Sequence, residues 1–186
     1  MPAACGSTGR RRIGRRSKGD RAFVSTRVTA STDAAIRTIA AETRTPVGDV
    51  AGTLLMLGVR HSGEFSSALD ELLPLTRTTA DRQIQFDPAN THATIVDMIG
   101  RAPTPVVERA RELREAISLD GKKVPVLLVF SALLIVGLRS YGPGSFDRVL
   151  AEMYDLALDP TLAEAMLGDT TVPRRIEEQG VLSLMV

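Results

Sequence analysis

Residues 20–61 read DRAFVSTRVTASTDAAIRTIAAETRTPVGDVAGTLLMLGVRH, and a change of period inside this stretch decides the fold. Ala22 to Val28 alternates, with Val24, Thr26 and Val28 on one face and Phe23, Ser25 and Arg27 on the other. That is the period of a β-strand. From Ser31 the period lengthens: Ser31 or Thr32 can cap a helix whose apolar stripe is Ile36, Ile39 and Ala40 and which ends at Arg44. Thr45-Pro46 starts another helix, with a hydroxyl at the cap and proline at the first helical position. Its apolar positions Val47, Val50, Ala51, Leu54 and Leu57 are joined by Leu55, Met56 and Val59 on a second face. A helix apolar nearly all round needs cover on more than one side, and a lone strand needs a partner. A unit of about 40 residues supplies neither by itself, so this one must pair.

The partner can lie in the same chain, because the pattern recurs. Thr45-Pro46-Val47 and Leu54 to Arg60 are echoed 79 residues later by Val124-Pro125-Val126 and Leu133 to Arg139. Ahead of the later copy, Thr104 to Leu119 reads as an amphipathic helix with Val107, Leu113, Ala116 and Ile117 inward, and Gly121 suits its left-handed C-cap. This register offers no obvious strand, since Arg101 to Pro105 is proline-rich. A second register, offset by 59, matches Ala30, Thr32, Ala34 and Ile36 to Ala89, Thr91, Ala93 and Ile95 and makes Arg82 to Phe86 the second strand. The two registers stay open, as does chance similarity between short apolar helices. Phe65 to Leu73 is echoed by Phe146 to Met153, and residues 160–186 read as one or two short helices broken at Pro160, Gly168 and Pro173.

Charge is unevenly spread. Residues 1–27 hold eight basic side chains against Asp20 alone, so the rest of the chain is acidic although the net charge is only +1. A basic end on an acidic body suits contact with a polyanion. Residues 1–19 are Gly, Ser, Arg and Lys with little to bury and read as a disordered arm. Cys5 is the single cysteine and no apolar segment follows the first arginines, so a disulfide framework and a signal peptide are not expected and a cytoplasmic location is. Val124 to Leu138 is uncharged, but its 15 residues as a helix span roughly 22 Å, short of a bilayer core of about 30 Å. A buried core helix is expected there, and no membrane association.

The order of basic arm, short strand, helix, turn and helix resembles the ribbon-helix-helix family, which includes Arc- and MetJ-type repressors. The stretch that carries the resemblance is Lys18-Gly19-Asp20-Arg21, Phe23 to Val28, Ile36, Ile39, Ala40 and the turn Arg44-Thr45-Pro46-Val47. The resemblance implies that two such strands pair antiparallel and enter the major groove of double-stranded DNA, outward side chains reading base edges. Those are Phe23, Ser25 and Arg27. Arg27 can make a bidentate contact to guanine, Ser25 can donate or accept, and Phe23 can touch a thymine methyl; Phe23 departs from the polar residues usual in the family. The resemblance also implies a phosphate clamp at the start of the second helix, here Thr45, Val47 and Gly48, with Asp49 a repulsive neighbour if it faced the phosphate. Arg15, Arg16, Lys18 and Arg21 would add backbone contacts.

The expected architecture is therefore mainly α. It comprises a basic arm (1–19), a ribbon-helix-helix unit of one strand and two helices (20–62), a connector (63–80), a degenerate second unit (81–142) and a helical tail (143–186). Enzyme chemistry finds no support: Gly6-Ser7-Thr8-Gly9 lacks the lysine of a phosphate loop, His61 and His92 lack metal-ligand spacing, and Cys5 has no positioned base. Glu108, Glu112 and Glu115 alternate with Arg109, Arg111 and Arg114 as an exposed ion-paired face. No cofactor and no metal are expected. The expectation is a transcriptional repressor acting as a homodimer or higher homo-oligomer on an inverted-repeat site, its C-terminal half available to a protein partner. An antitoxin and a plasmid relaxosome or partition accessory protein share the same front. A helical interaction or peripheral membrane protein is the rival of another class.

Overall fold

The computed structural model of the chain describes residues 19–79, 83–90, 93–119 and 122–168. The expected arm, apart from Gly19, and the end of the chain beyond Gly168 lie outside the described residues, as do Arg15, Arg16 and Lys18. The fold is mainly helical. Strand β1 (Arg21–Thr29) leads into α1 (Ala30–Thr43) and α2 (Val47–Arg60), then α3 (Phe65–Leu72) and a hairpin of β2 (Thr76–Thr78) and β3 (Ile84–Phe86). The same order of strand and two helices follows in β4 (Ile95–Pro103), α4 (Thr104–Ala116) and α5 (Val126–Arg139). A tiny hairpin of β5 (Ser118–Leu119) and β6 (Lys122–Lys123) separates α4 from α5, and α6 (Phe146–Leu158) and α7 (Ala163–Leu167) complete the described chain.

The partner of β1 is β4, antiparallel, with Arg21 opposite Pro103, Ser25 opposite Ile99 and Thr29 opposite Ile95. The chain thus pairs its own strand, and Arg82 to Phe86 is not the second strand: Ile84–Phe86 pairs with Thr76–Thr78 instead, and Arg82 lies outside the described residues. The prolines that argued against pairing fall where they do little harm. Pro103 is the last residue of the ladder and the N-cap of α4, and Pro105 lies in the first turn of that helix, positions that need no donated backbone N–H. Upstream of them, Ile95-Val96 and Ile99 supply the β-branched side chains that suit a strand.

Helix ends differ from expectation by a residue or two. Thr29, not Ser31 or Thr32, caps α1, its hydroxyl accepting from the Thr32 N–H at 3.3 Å. Thr29→Ala is expected to cost about 1 kcal/mol, read as a shift in urea midpoint without a change in slope. At α2 the cap is Pro46 and the Thr45 hydroxyl donates to the Thr43 carbonyl, so Thr45 does not cap. Helix α4 stops at Ala116, which is exposed, because Ser118–Leu119 leave to pair with Lys122–Lys123; Gly121 lies outside the described residues.

Helices α2 and α5 form the centre. Eleven consecutive positions of α2, Asp49 to Val59, are buried, and α5 buries Leu128 to Leu134, Val136 and Gly137. Among the described residues no single helix is long and apolar enough to cross a membrane; α5 carries no charge before Arg139, its last residue, and most of its positions are buried in protein. The two helices cross through paired glycines. A Cβ on Gly58 would stand 2.7 Å from the Leu133 carbonyl carbon and nearer to its oxygen, and one on Gly137 would meet the Leu54 carbonyl in the same way. Since Gly137 and Leu133 lie 79 residues after Gly58 and Leu54, the contacts are reciprocal, as about a two-fold axis.

One continuous apolar cluster holds all of this, so the boundaries at 62, 80 and 142 separate no independent cores. The expected connector contributes Phe65, Ala68, Leu69 and Leu72, and the expected tail contributes Phe146, Val149, Met153 and Leu156. Both are needed to cover the second apolar faces of α2 and α5, which the paired strands leave bare.

Candidate nucleic-acid interface

Alternation places Val24, Thr26 and Val28 of β1 and Met98 and Ala102 of β4 inward. The Thr26 and Ser131 hydroxyls meet there at 2.8 Å, and the Arg27 and Leu127 carbonyls lie within reach as acceptors for their protons. The opposite face of the ribbon is free of the core. It carries the three expected positions, Phe23, Ser25 and Arg27, and three from β4 that sequence reasoning missed, Asp97, Ile99 and Arg101. All six are exposed, Phe23 at 69% and Ile99 at 62%.

Cross-strand pairing ties these groups together. Arg27 lies opposite Asp97 and is held by its carboxylate at 3.0 Å, and the Arg101 guanidinium lies over the Phe23 ring, 4.7 Å from its centroid. Ser25 and Ile99 face each other at the centre. The two strands therefore offer different chemistry: an arginine laid on an aromatic face at one end, and an arginine neutralised by a carboxylate at the other. With two guanidinium groups and one carboxylate, the face is weakly positive. The described span 19–168 holds 15 basic and 19 acidic residues, whereas residues 1–18 carry six basic and no acidic side chains.

A helix start flanks each strand. In α2 the N–H groups of Val47 and Gly48 precede the first intrahelical bonds, which run from Asp49 and Val50 to the Pro46 carbonyl. Gly48 stands under β4, an added Cβ there meeting the Ile99 carbonyl at 3.5 Å. The start of α5 repeats this, with Leu128 and Val129 bonding to the Pro125 carbonyl and Val126 and Leu127 ahead of them. Arg44 and Thr45 precede one start and Lys122 and Lys123 the other. The Thr45 N–H is bonded to the Ala40 carbonyl, which leaves Val47 and Gly48 as the donors of this end.

Two charged residues near this end meet inside the fold. Asp49 does not face outward: it is buried, accepting from Arg21 at 2.7 Å and from the Tyr154 hydroxyl at 2.8 Å. Arg21, expected among the DNA-backbone contacts, is engaged in that pair, its side chain 7% exposed and its guanidinium over the Tyr154 ring. No signal in the sequence marks this arrangement, because Tyr154 arrives from α6, more than 100 residues away. The β4 positions did carry a signal, the β-branched run Ile95-Val96 and Ile99. Comparison with family models, with curated proteins and with solved structures gives no match for this chain.

Proposed function

We propose that this chain is a sequence-specific DNA-binding regulator of the ribbon-helix-helix type in which one polypeptide supplies both strands. The observation that carries the reading is the antiparallel β1–β4 pair with six outward side chains, flanked by the first turns of α2 and α5. A two-stranded ribbon fits the major groove, and helix starts beside it suit the phosphates on either edge. Positioning then comes from Val47, Gly48, Val126 and Leu127 and from the basic residues 1–18, and reading from the ribbon face.

Because the strands differ, the preferred site of one chain is asymmetric rather than an inverted repeat. Arg101 and Ser25 carry the direct readout, while Arg27 is restrained by Asp97. Selection from random duplexes by full-length protein tests this. The expected result is a short non-palindromic motif. Arg101→Ala should cost about 1–3 kcal/mol on that motif and relax preference at one position, whereas Asp97→Ala should change which base Arg27 prefers. Removing residues 1–18 should reduce the salt slope by about 5, from about 0.9 per phosphate, and leave the motif intact. Sequence-blind binding, or a motif indifferent to Arg101, Ser25 and Arg27, would end the reading. The repressor, antitoxin and relaxosome roles share this interface; co-purification of a small toxin, or binding confined to a transfer origin, selects between them.

A further inference from the structure

The outward face of the ribbon has two unlike halves. The register of β1 on β4 places an approximate two-fold axis between Ser25 and Ile99, which carries Arg27 onto Arg101 and Phe23 onto Asp97. Each half thus presents an arginine at the same place, and the halves differ in what stands across the ladder from it. Arg27 meets the Asp97 carboxylate at 3.0 Å, whereas the Arg101 guanidinium lies over the Phe23 ring, 4.7 Å from its centroid. Ile99 extends the second half, because it is the diagonal neighbour of Phe23 across the ladder, a separation that an aromatic side chain spans.

Phe23 and Ile99 are two of the three large apolar side chains left exposed among the described residues. Neither closes the core, which the inward face of the same strands covers with Val24, Val28, Met98 and Ala102. They stand together on a face that otherwise carries two guanidinium groups, a carboxylate and a hydroxyl, and so form an apolar seat beside a cation. Base edges in the major groove offer one apolar group, the methyl on C5 of thymine, and 5-methylcytosine offers the same group. The cation suits guanine, whose N7 and O6 accept from an arginine in bidentate fashion. An aromatic face holds a guanidinium without competing for its N–H groups, whereas a carboxylate takes them.

We propose that this half of the ribbon reads a C5-methylated pyrimidine close to a guanine, with Phe23 and Ile99 as the methyl seat and Arg101 as the guanine contact. The inference rests on the DNA-binding reading above and names what that site prefers. Ile99 and Arg101 are two residues apart on one face of β4, which is about 6.6 Å along a strand, or two base-pair steps of about 3.4 Å. The methyl therefore lies within about two base pairs of the guanine. The other half, with Ser25, Arg27 and Asp97, has no such seat and is indifferent to methylation.

The test uses full-length protein and the duplex motif that it selects. Each thymine is replaced in turn by deoxyuridine, which removes the methyl alone, and each cytosine by 5-methylcytosine, which adds it. If the seat takes thymine, deoxyuridine at one position near the guanine should weaken binding about fourfold, the value of one buried methyl group. If it takes a methylated cytosine, 5-methylcytosine at that position should strengthen binding by about the same factor. In Ile99→Ala the methyl effect should vanish while preference for the guanine persists. In Phe23→Ala both should fall, since Arg101 loses the ring on which it rests. Both positions are exposed, so these variants should keep the fold. A selected motif indifferent to every methyl, or a methyl effect unchanged in both variants, would overturn the seat and leave the DNA-binding reading standing. Sequence-blind binding would instead end that reading, and the seat with it. Self-association of the free protein that Ile99→Ala abolishes, with the methyl effect unchanged, would give the two side chains to a second copy and overturn the proposal.

Discussion

Alanine at Gly58 or Gly137 should lower stability by about 3 kcal/mol, a drop in melting temperature of roughly 6–12 °C for a chain of this size. Each added methyl points at a backbone carbonyl of the facing helix, Leu133 for Gly58 and Leu54 for Gly137. A backbone group cannot rotate aside as a side-chain tip can, so the two helices must separate. Separation loosens the packing of nearly every buried residue of α2 and α5, because these helices form the middle of the single apolar cluster. The double variant should cost clearly less than the sum of the two, since one displacement relieves both overlaps. Urea titration of the three variants checks this. A loss below about 1 kcal/mol in either single variant would mean that the helices do not approach as closely as described. Gly63 and Gly144, around which nothing lies within 4 Å of an added Cβ, are the matched controls and should change stability little.

Removing one member of the buried Arg21–Asp49 pair is the second large effect. Asp49→Ala should cost about 3–5 kcal/mol, because it strands a guanidinium that is almost wholly enclosed. Asp49→Asn should cost less, since the amide oxygen can still accept from Tyr154. Replacing both partners by apolar residues of similar volume, Arg21→Met with Asp49→Leu, should recover most of the loss, as desolvation then falls away with the charges. The same series separates structure from DNA contact. The double apolar variant should bind duplex DNA with an unchanged salt slope, whereas an Arg21 that touched phosphate would lower it by about 1. The pair also fastens α6 across β1 and α2 through Tyr154, so Tyr154→Phe should show the smaller loss of one charge-assisted hydrogen bond, about 1.5–3 kcal/mol.

Local pattern was enough for most of the elements and for half of the exposed ribbon face. The alternation from Ala22 to Val28 determined a strand with Val24, Thr26 and Val28 inward and Phe23, Ser25 and Arg27 outward, and the structure has that division. The two all-round apolar helices were expected in the core, and most of their positions are buried. Their excess of apolar faces also required pairing, since strands and helices of this kind cannot be satisfied alone.

What the pattern could not decide was which residues meet. Pro103 and Pro105 hid the second strand, because a proline that forbids pairing within a strand is harmless at its last residue, and only the register of β1 on β4 shows where that end falls. Nothing in the pattern marked the glycines at 58 and 137 as crossing points; only the packing of the two helices brings each against a carbonyl. Charge was the least legible of all. Arg21 and Arg27 read alike as free cations, yet one is buried with Asp49 and the other is held at the surface by Asp97, both partners being distant in sequence. Periodicity is a property of neighbours along the chain and is written in it. The electrostatic environment of a side chain depends on groups brought within a few ångströms by folding, and so it belongs to the tertiary structure alone.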